Sequence, residues 1–316
     1  MDKLLAFLNK IPVFKLLIPV YVGLAIVFGA LIVNGKMQLF YSAGYIADIQ
    51  SQVLWGALFF AVIVGGLLVA SFFFVVFRFK EGAKRTYTPD WTAGKWLHLL
   101  AWGVPLLAVA AISVMIWNTS HMIDPYQAIS SSKKPVTIQV VAERWKWLFL
   151  YPNDGIATVN TMEIPVGVPI NLQLTADAPM NSFWVPSLAG QVYAMTGMVT
   201  QLHLEADKPG SYPGSSAEIS GDGFAGMEFT VKAISASDYS TWKANARMRR
   251  LRMDSAVYAT FAMPSSYNSP TTYKLTNPNL FNEIVMKFMT PTDNSLKTPT
   301  ASPTPDPSKA MPGMSM

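Results

Sequence analysis

Chemistry needs side chains that titrate, coordinate or attack, and this sequence of 316 residues is sparing with them. Cysteine is absent, so no thiolate can act as nucleophile or metal ligand, and no disulfide can brace an exported domain. Of the three histidines, His98 follows a basic stretch and opens an apolar run that contains Trp102. An imidazole can take up and release a proton and could relay protons there, or could simply sit among lipid headgroups. His203 lies in an alternating apolar–polar segment and reads as a structural histidine. Met311, Met314 and Met316 carry soft thioethers that could take Cu(I); the competing reading is a tail that binds nothing. No C-x-x-C-H haem motif and no flavin or iron–sulfur motif is present.

The elements that must position these residues begin in oil. Hydrophobic residues make up 51% of the chain and mean hydropathy is +0.28, with most of the excess before residue 118. Runs at 12–34, 53–77 and 97–117 are each long enough to cross a bilayer as helix, about twenty residues being needed. Between the second and third, loop 78–96 carries Arg78, Lys80, Lys84, Arg85 and Lys95 against Glu81 and Asp90, which assigns it to the cytoplasm. The two runs then form a hairpin over 51–118 whose outer ends face the opposite side. The first run fits either a signal segment or an uncleaved anchor within 1–50. The pI of about 9.2 traces to these membrane-flanking lysines and arginines, because charges roughly cancel between 118 and 290. That distribution argues against nucleic acid as a partner.

After Trp117 the pattern changes to period two. Segments 135–142, 145–152, 158–165, 168–176, 198–206 and 227–233 alternate apolar and polar, with turns such as Asn153-Asp154-Gly155 between them. Many short strands without intervening helices predict an all-β Greek-key sandwich over 119–234. Helices are predicted at 235–253, capped by Ser235 or Ser237, and at 277–289, within a C-terminal extension spanning 235–289. Residues 290–316 are of low complexity and read as a disordered tail.

Two membrane helices followed by an exported sandwich resemble subunit II of the haem-copper oxidases, whose extramembrane domain is cupredoxin-like. Three segments carry the resemblance, which extends over about residues 45–290. Ala142-Glu143-Arg144-Trp145-Lys146-Trp147 resembles the family's W-x-W strand. Asn181-Ser182-Phe183-Trp184-Val185-Pro186 falls where the family has H-S-F-x-[VI]-P. Ser216-Ala217-Glu218-Ile219-Ser220-Gly221-Asp222-Gly223-Phe224-Ala225-Gly226-Met227 tracks C-S-E-[IL]-C-G-x-x-H-x-x-M in register.

In relatives that oxidise cytochrome c these segments hold the binuclear Cu-A centre. Here Ser216 and Ser220 stand at the thiolate positions, Asn181 and Phe224 at the histidine positions, and only Met227 and the Glu218 carbonyl remain. Copper in such a site needs thiolate and imidazole, and a serine hydroxyl stays protonated at neutral pH. The resemblance therefore implies a copper-less, quinol-oxidising member similar to the bo-type ubiquinol oxidases. This chain would hold no metal, cofactor or catalytic residue. Haems and Cu-B would reside in subunit I, a membrane partner together with further subunits and lipid; ubiquinol would be the substrate, and no cytochrome c would dock. The expected location is the bacterial inner membrane, multi-pass, with the C-terminal domain periplasmic. By the same resemblance His98 occupies the place of a glutamate at the mouth of a proton path. Without Cu-A, Trp145 and Trp147 become packing residues, as does Met227. Two other readings are a subunit taking electrons from a periplasmic protein and a membrane-tethered sandwich acting as an assembly module outside respiration.

Overall fold

A computed structural model describes residues 38–79 and 94–289, with isolated residues at 23, 26, 27, 29, 30, 90 and 92. Most of the apolar run 12–34, most of the basic loop 78–96 and the tail from 290, including Met311, Met314 and Met316, lie outside the described residues. Two helices stand first: α1 (Tyr45–Arg78) and α2 (Lys95–Met122). Both are long and apolar enough to span a membrane, and the rest of the chain buries neither apolar stretch. They extend beyond the predicted 53–77 and 97–117 because polar turns at their sandwich ends stay helical. In α1 that end is anchored. Ala43 donates to Ser187 O at 2.8 Å and accepts from Asp207 N at 2.8 Å, and Ile46 and Ala47 are buried. Gly44 is required at this seam, since a Cβ there would lie 2.1 Å from the Glu205 carbonyl oxygen.

The strands are β1 (Val136–Glu143), β2 (Lys146–Tyr151), β3 (Ile156–Val159), β4 (Thr161–Pro165), β5 (Ile170–Ala176), β6 (Asn181–Trp184), β7 (Gln191–Ala194), β8 (Thr200–Leu204), β9 (Gly210–Ser216) and β10 (Glu228–Ile234). After β10 come α3 (Ala236–Arg247), β11 (Arg252–Met253), α4 (Ser255–Phe261), β12 (Thr271–Leu275) and α5 (Leu280–Lys287). They form a seven-stranded sheet, β11-β12-β3-β2-β1-β5-β8, facing a five-stranded sheet, β4-β10-β9-β6-β7. Between the sheets, Trp147, Phe149, Phe183 and Phe229 pack ring against ring, with Phe183 and Phe229 centroids 4.8 Å apart. Burying each such side chain contributes roughly 2–3 kcal/mol.

Three predicted elements differ, each for a local reason. The strand 158–165 is two strands, because Asn160 adopts φ 52° and turns the chain from one sheet to the other. Its side chain repairs the corner, accepting from Trp147 N and donating to Asn268 O, each at 2.8 Å. The helix 235–253 ends at Arg247, whose guanidinium turns back onto Asp154 at 2.7 Å. Residues 252–275 then return to the seven-stranded sheet as β11 and β12, so this stretch is not purely helical. The helices of this arm cover the outer face of that sheet: Leu148 and Leu150 point into a cluster with Tyr258, Leu280, Phe281, Ile284 and Val285. That cover explains why every residue of β2 is buried, and β2 is apolar on both faces from Trp147 to Tyr151 rather than alternating as predicted.

Candidate functional site

The six positions singled out by the copper motif converge at one end of the sandwich, where β6, β9 and the loop 217–226 meet. Ser216, the last residue of β9, is their hub. Its Oγ is 3.1 Å from both Asn181 Oδ1 and the Glu218 carbonyl oxygen, and Ser182 N and Glu218 N approach it at 3.4 Å. Asn181 in turn donates from Nδ2 to Pro179 O at 2.7 Å. Both side chains are buried. A hydroxyl that donates within such a ring remains an alcohol.

Across the loop, Ser220 offers its carbonyl oxygen to the Trp145 indole Nε1 at 3.1 Å, while its own Oγ is buried without a partner. Trp145 adopts φ 67°, a conformation uncommon for a bulky residue, which lays the indole flat along the loop. Gly223 makes room for it: a Cβ there would be 2.3 Å from Trp145 Cδ2. Phe224 is half-buried in a short 3-10 turn, Phe224–Gly226, and Met227 is buried in the main core.

This donor set does not fit a binuclear copper centre. Two hydroxyls, an amide and a phenyl stand where soft thiolates and imidazoles would be needed, leaving one buried thioether and one carbonyl. Among the described residues no cluster of three histidine, cysteine or acidic side chains has metal-ligating geometry. What occupies the place of a metal site is a hydrogen-bonded loop pinned by a tryptophan.

The remaining candidates are dispersed. Trp147 is fully buried, edge-on to Phe183 and Phe229, as packing. His203 is buried with Nδ1 3.0 Å from Pro125 O, a structural tie between β8 and the segment leaving α2. His98 lies in the first turn of α2, exposed, with Nδ1 3.3 Å from Gly94 O. A cavity of about 690 Å³ sits where the two long helices meet the sandwich, lined by Tyr45, Ile46, His121, Gln127, Glu205 and Asp207, apart from the loop. Burial pushes both of its carboxyls above their usual range.

One group of ionisable side chains escaped the sequence reading altogether. Glu143, Asp177, Tyr258 and Lys287 meet beneath the C-terminal arm. They are up to 144 residues apart (143 to 287) and no local spacing links them. The available signal was Glu143 itself, an acid closing a strand that is buried from Val140 onward.

The sandwich and loop define a class first. Residues 152–234 match the family described as cytochrome c oxidase subunit II, periplasmic domain, and residues 251–292 match the COX aromatic rich motif. The chain is 43% identical over 217 residues to the cytochrome bo(3) ubiquinol oxidase subunit 2 of Pseudomonas putida, covering 68% of this chain and 69% of that one. With its counterpart from Pseudomonas aeruginosa strain PAO1 it shares 36% identity over 82% of this chain and 79% of the relative. The quinol oxidase subunit 2 of Bacillus cereus is 36% identical over 72% and 79% of the two chains. This chain belongs to the ubiquinol oxidase subunit 2 family.

Proposed function

We propose that this chain is the membrane-anchored, copper-less subunit II of a terminal haem-copper ubiquinol oxidase, an assembly that oxidises ubiquinol, reduces oxygen to water and conserves the energy as a proton gradient. The hairpin 51–118 would lie in a bacterial inner membrane with loop 78–96 cytoplasmic. The cupredoxin-like domain 119–234 and its extension 235–289 would then be periplasmic. Haems and Cu-B would belong to subunit I, the principal partner alongside further membrane subunits. The observation that carries the reading is Ser216, whose hydroxyl serves as the hub of a hydrogen-bonded ring at a thiolate position. With no metal relay in this chain, a soluble electron donor docking on the sandwich has no way inward, whereas a quinol in the bilayer reaches subunit I directly. This chain supplies architecture and assembly contacts and carries no catalytic residue.

The test is to purify the tagged chain with its membrane partners and compare donors. Ubiquinol should sustain oxygen consumption, reduced cytochrome c should not, and copper should not exceed what the haem-bearing subunit accounts for. Turnover with cytochrome c, or isolation without any haem protein, would overturn the reading. We further propose that His98, exposed at the start of α2 beside the basic loop, lies at the entrance of a proton path.

A further inference from the structure

A phenol carries one proton, yet Tyr258 Oη lies 2.5 Å from Glu143 Oε1 and 2.8 Å from Asp177 Oδ2. Both contacts are hydrogen bonds only if one carboxyl is itself protonated and donates to the phenol oxygen. Lys287 identifies which one. Its ammonium holds the two oxygens of Asp177 at 2.7 and 2.8 Å, so Asp177 is the carboxylate and accepts the phenol proton. Glu143 is completely buried, and no cation lies within ion-pair distance of it among the described residues. Its second oxygen has no partner among the described residues. An isolated carboxylate in that setting would be strongly disfavoured, so Glu143 keeps its proton and donates it to Tyr258.

Every charged group facing Glu143 can be named. Burial pushes its carboxyl up to about 8; the Tyr258 hydrogen bond opposes this, the Asp177 charge adds to it, and the Lys146 and Lys287 charges pull it down. Lys146, on β2, is engaged elsewhere, donating to Met263 O at 2.7 Å and Ser265 Oγ at 2.6 Å, and its own burial lowers its pKa. Glu143 ends β1 and Asp177 follows β5, whereas Tyr258 lies on α4 and Lys287 ends α5. The series Glu143, Tyr258, Asp177, Lys287 therefore crosses between sandwich and arm at each of its three steps. A cavity of about 350 Å³, lined by Ser255, Tyr258, Leu280, Glu283, Ile284 and Lys287, opens beside the phenol and gives water a way to it.

We propose that Glu143, Tyr258 and Asp177 form a proton-holding site that fastens the aromatic-rich arm, residues 251–289, onto the sandwich, so that docking of the arm is linked to the proton on Glu143. Removing that proton leaves two carboxylates competing for one phenol hydrogen, with their charges repelling across the ring oxygen. The bond to the arm is then lost on the Glu143 side, and α4 and α5 loosen together. The site stands whichever electron donor the assembly uses.

The experiment uses the full chain in its purified membrane complex, as wild type and as Glu143→Gln, an isostere that can donate to Tyr258 without titrating. Infrared difference spectra between pH 6 and pH 9 should show a protonated-carboxyl C=O band in the wild type that Glu143→Gln removes. Hydrogen exchange of peptides covering 255–261 and 280–287, corrected for intrinsic rates, should accelerate roughly tenfold to a hundredfold over the same range in the wild type and stay flat in the variant. Absence of a Glu143-dependent band at pH 6, or equal acceleration in both proteins, overturns the proposal. Should Glu143→Gln fail to assemble, Tyr258→Phe provides the second measurement. Its arm should exchange at pH 6 as fast as the wild-type arm at pH 9, and an arm that remains protected would overturn the proposal equally.

Discussion

A buried protonated carboxyl has a thermodynamic signature that can be worked out from its environment. Glu143 titrates near its ordinary value of 4.5 when the chain is unfolded and near 8 when folded. The folded state therefore binds more protons than the unfolded one between these limits. Stability contributed by this group is fully present below about pH 4.5 and is lost as pH rises through about 8. At about 1.4 kcal/mol per unit, the loss across the window approaches about 5 kcal/mol as a ceiling, and about 3 kcal/mol has gone by pH 7. Glu163, Glu205 and Asp207 are raised by burial and slope the same way, so the wild-type curve alone does not isolate Glu143. The difference between wild type and Glu143→Gln does. Leaving one amide hydrogen of the glutamine unpaired shifts the variant by a constant amount and leaves the slope untouched. Denaturant midpoints of the detergent-solubilised chain at half-unit steps from pH 5 to 8.5 should converge or cross, with the variant gaining steadily on the wild type. Parallel curves would show that Glu143 is ionised throughout, and the proton assignment would fall with them.

Other consequences are simpler to state. Gly223→Ala drives a Cβ into the Trp145 ring and displaces the indole from Ser220 O, which should destabilise the sandwich by about 2–4 kcal/mol in thermal or denaturant unfolding. Quinol-driven oxygen consumption of the surviving complex should be unchanged, because the proposed function routes no electron through the loop. Ser216→Ala strips Asn181 Oδ1 of its buried donor and should cost about 1–3 kcal/mol in the same assay, again with turnover intact. His98→Leu in the assembled enzyme should slow both turnover and proton uptake, and unchanged rates in stopped-flow pH measurements would remove His98 from any proton path.

How far the sequence could be read depended on whether a feature was local. The apolar runs of α1 and α2 declare themselves because a bilayer-length stretch of helix has no polar face to vary. β1, β5, β8 and β10 were legible through their alternation, and β2 through its apolar, β-prone residues. β6, β7 and β9 were not: Gly210-Ser211-Tyr212-Pro213-Gly214-Ser215-Ser216 has neither apolar alternation nor β propensity, and it is a strand because β10 and β6 flank it. The arm was misjudged at Arg247 for a related reason. The helix ends at Arg247, whose guanidinium finds Asp154 across 93 residues of sequence, where composition alone would continue it. The copper loop shows both sides. Its resemblance to the copper motif is visible residue by residue, since the spacing from Ser216 to Met227 is kept, and the lack of thiolate and imidazole follows from four side chains. What holds such a loop in shape without a metal is invisible there. It comes from one hydroxyl shared between Asn181 and Glu218, and from an indole that reaches Ser220 only because Trp145 takes a left-handed backbone and Gly223 has no Cβ. A loop held in shape by hydrogen bonds can keep the spacing of a metal-binding motif for structural reasons, so motif register alone reports the fold, and the identity of the donor atoms reports the chemistry.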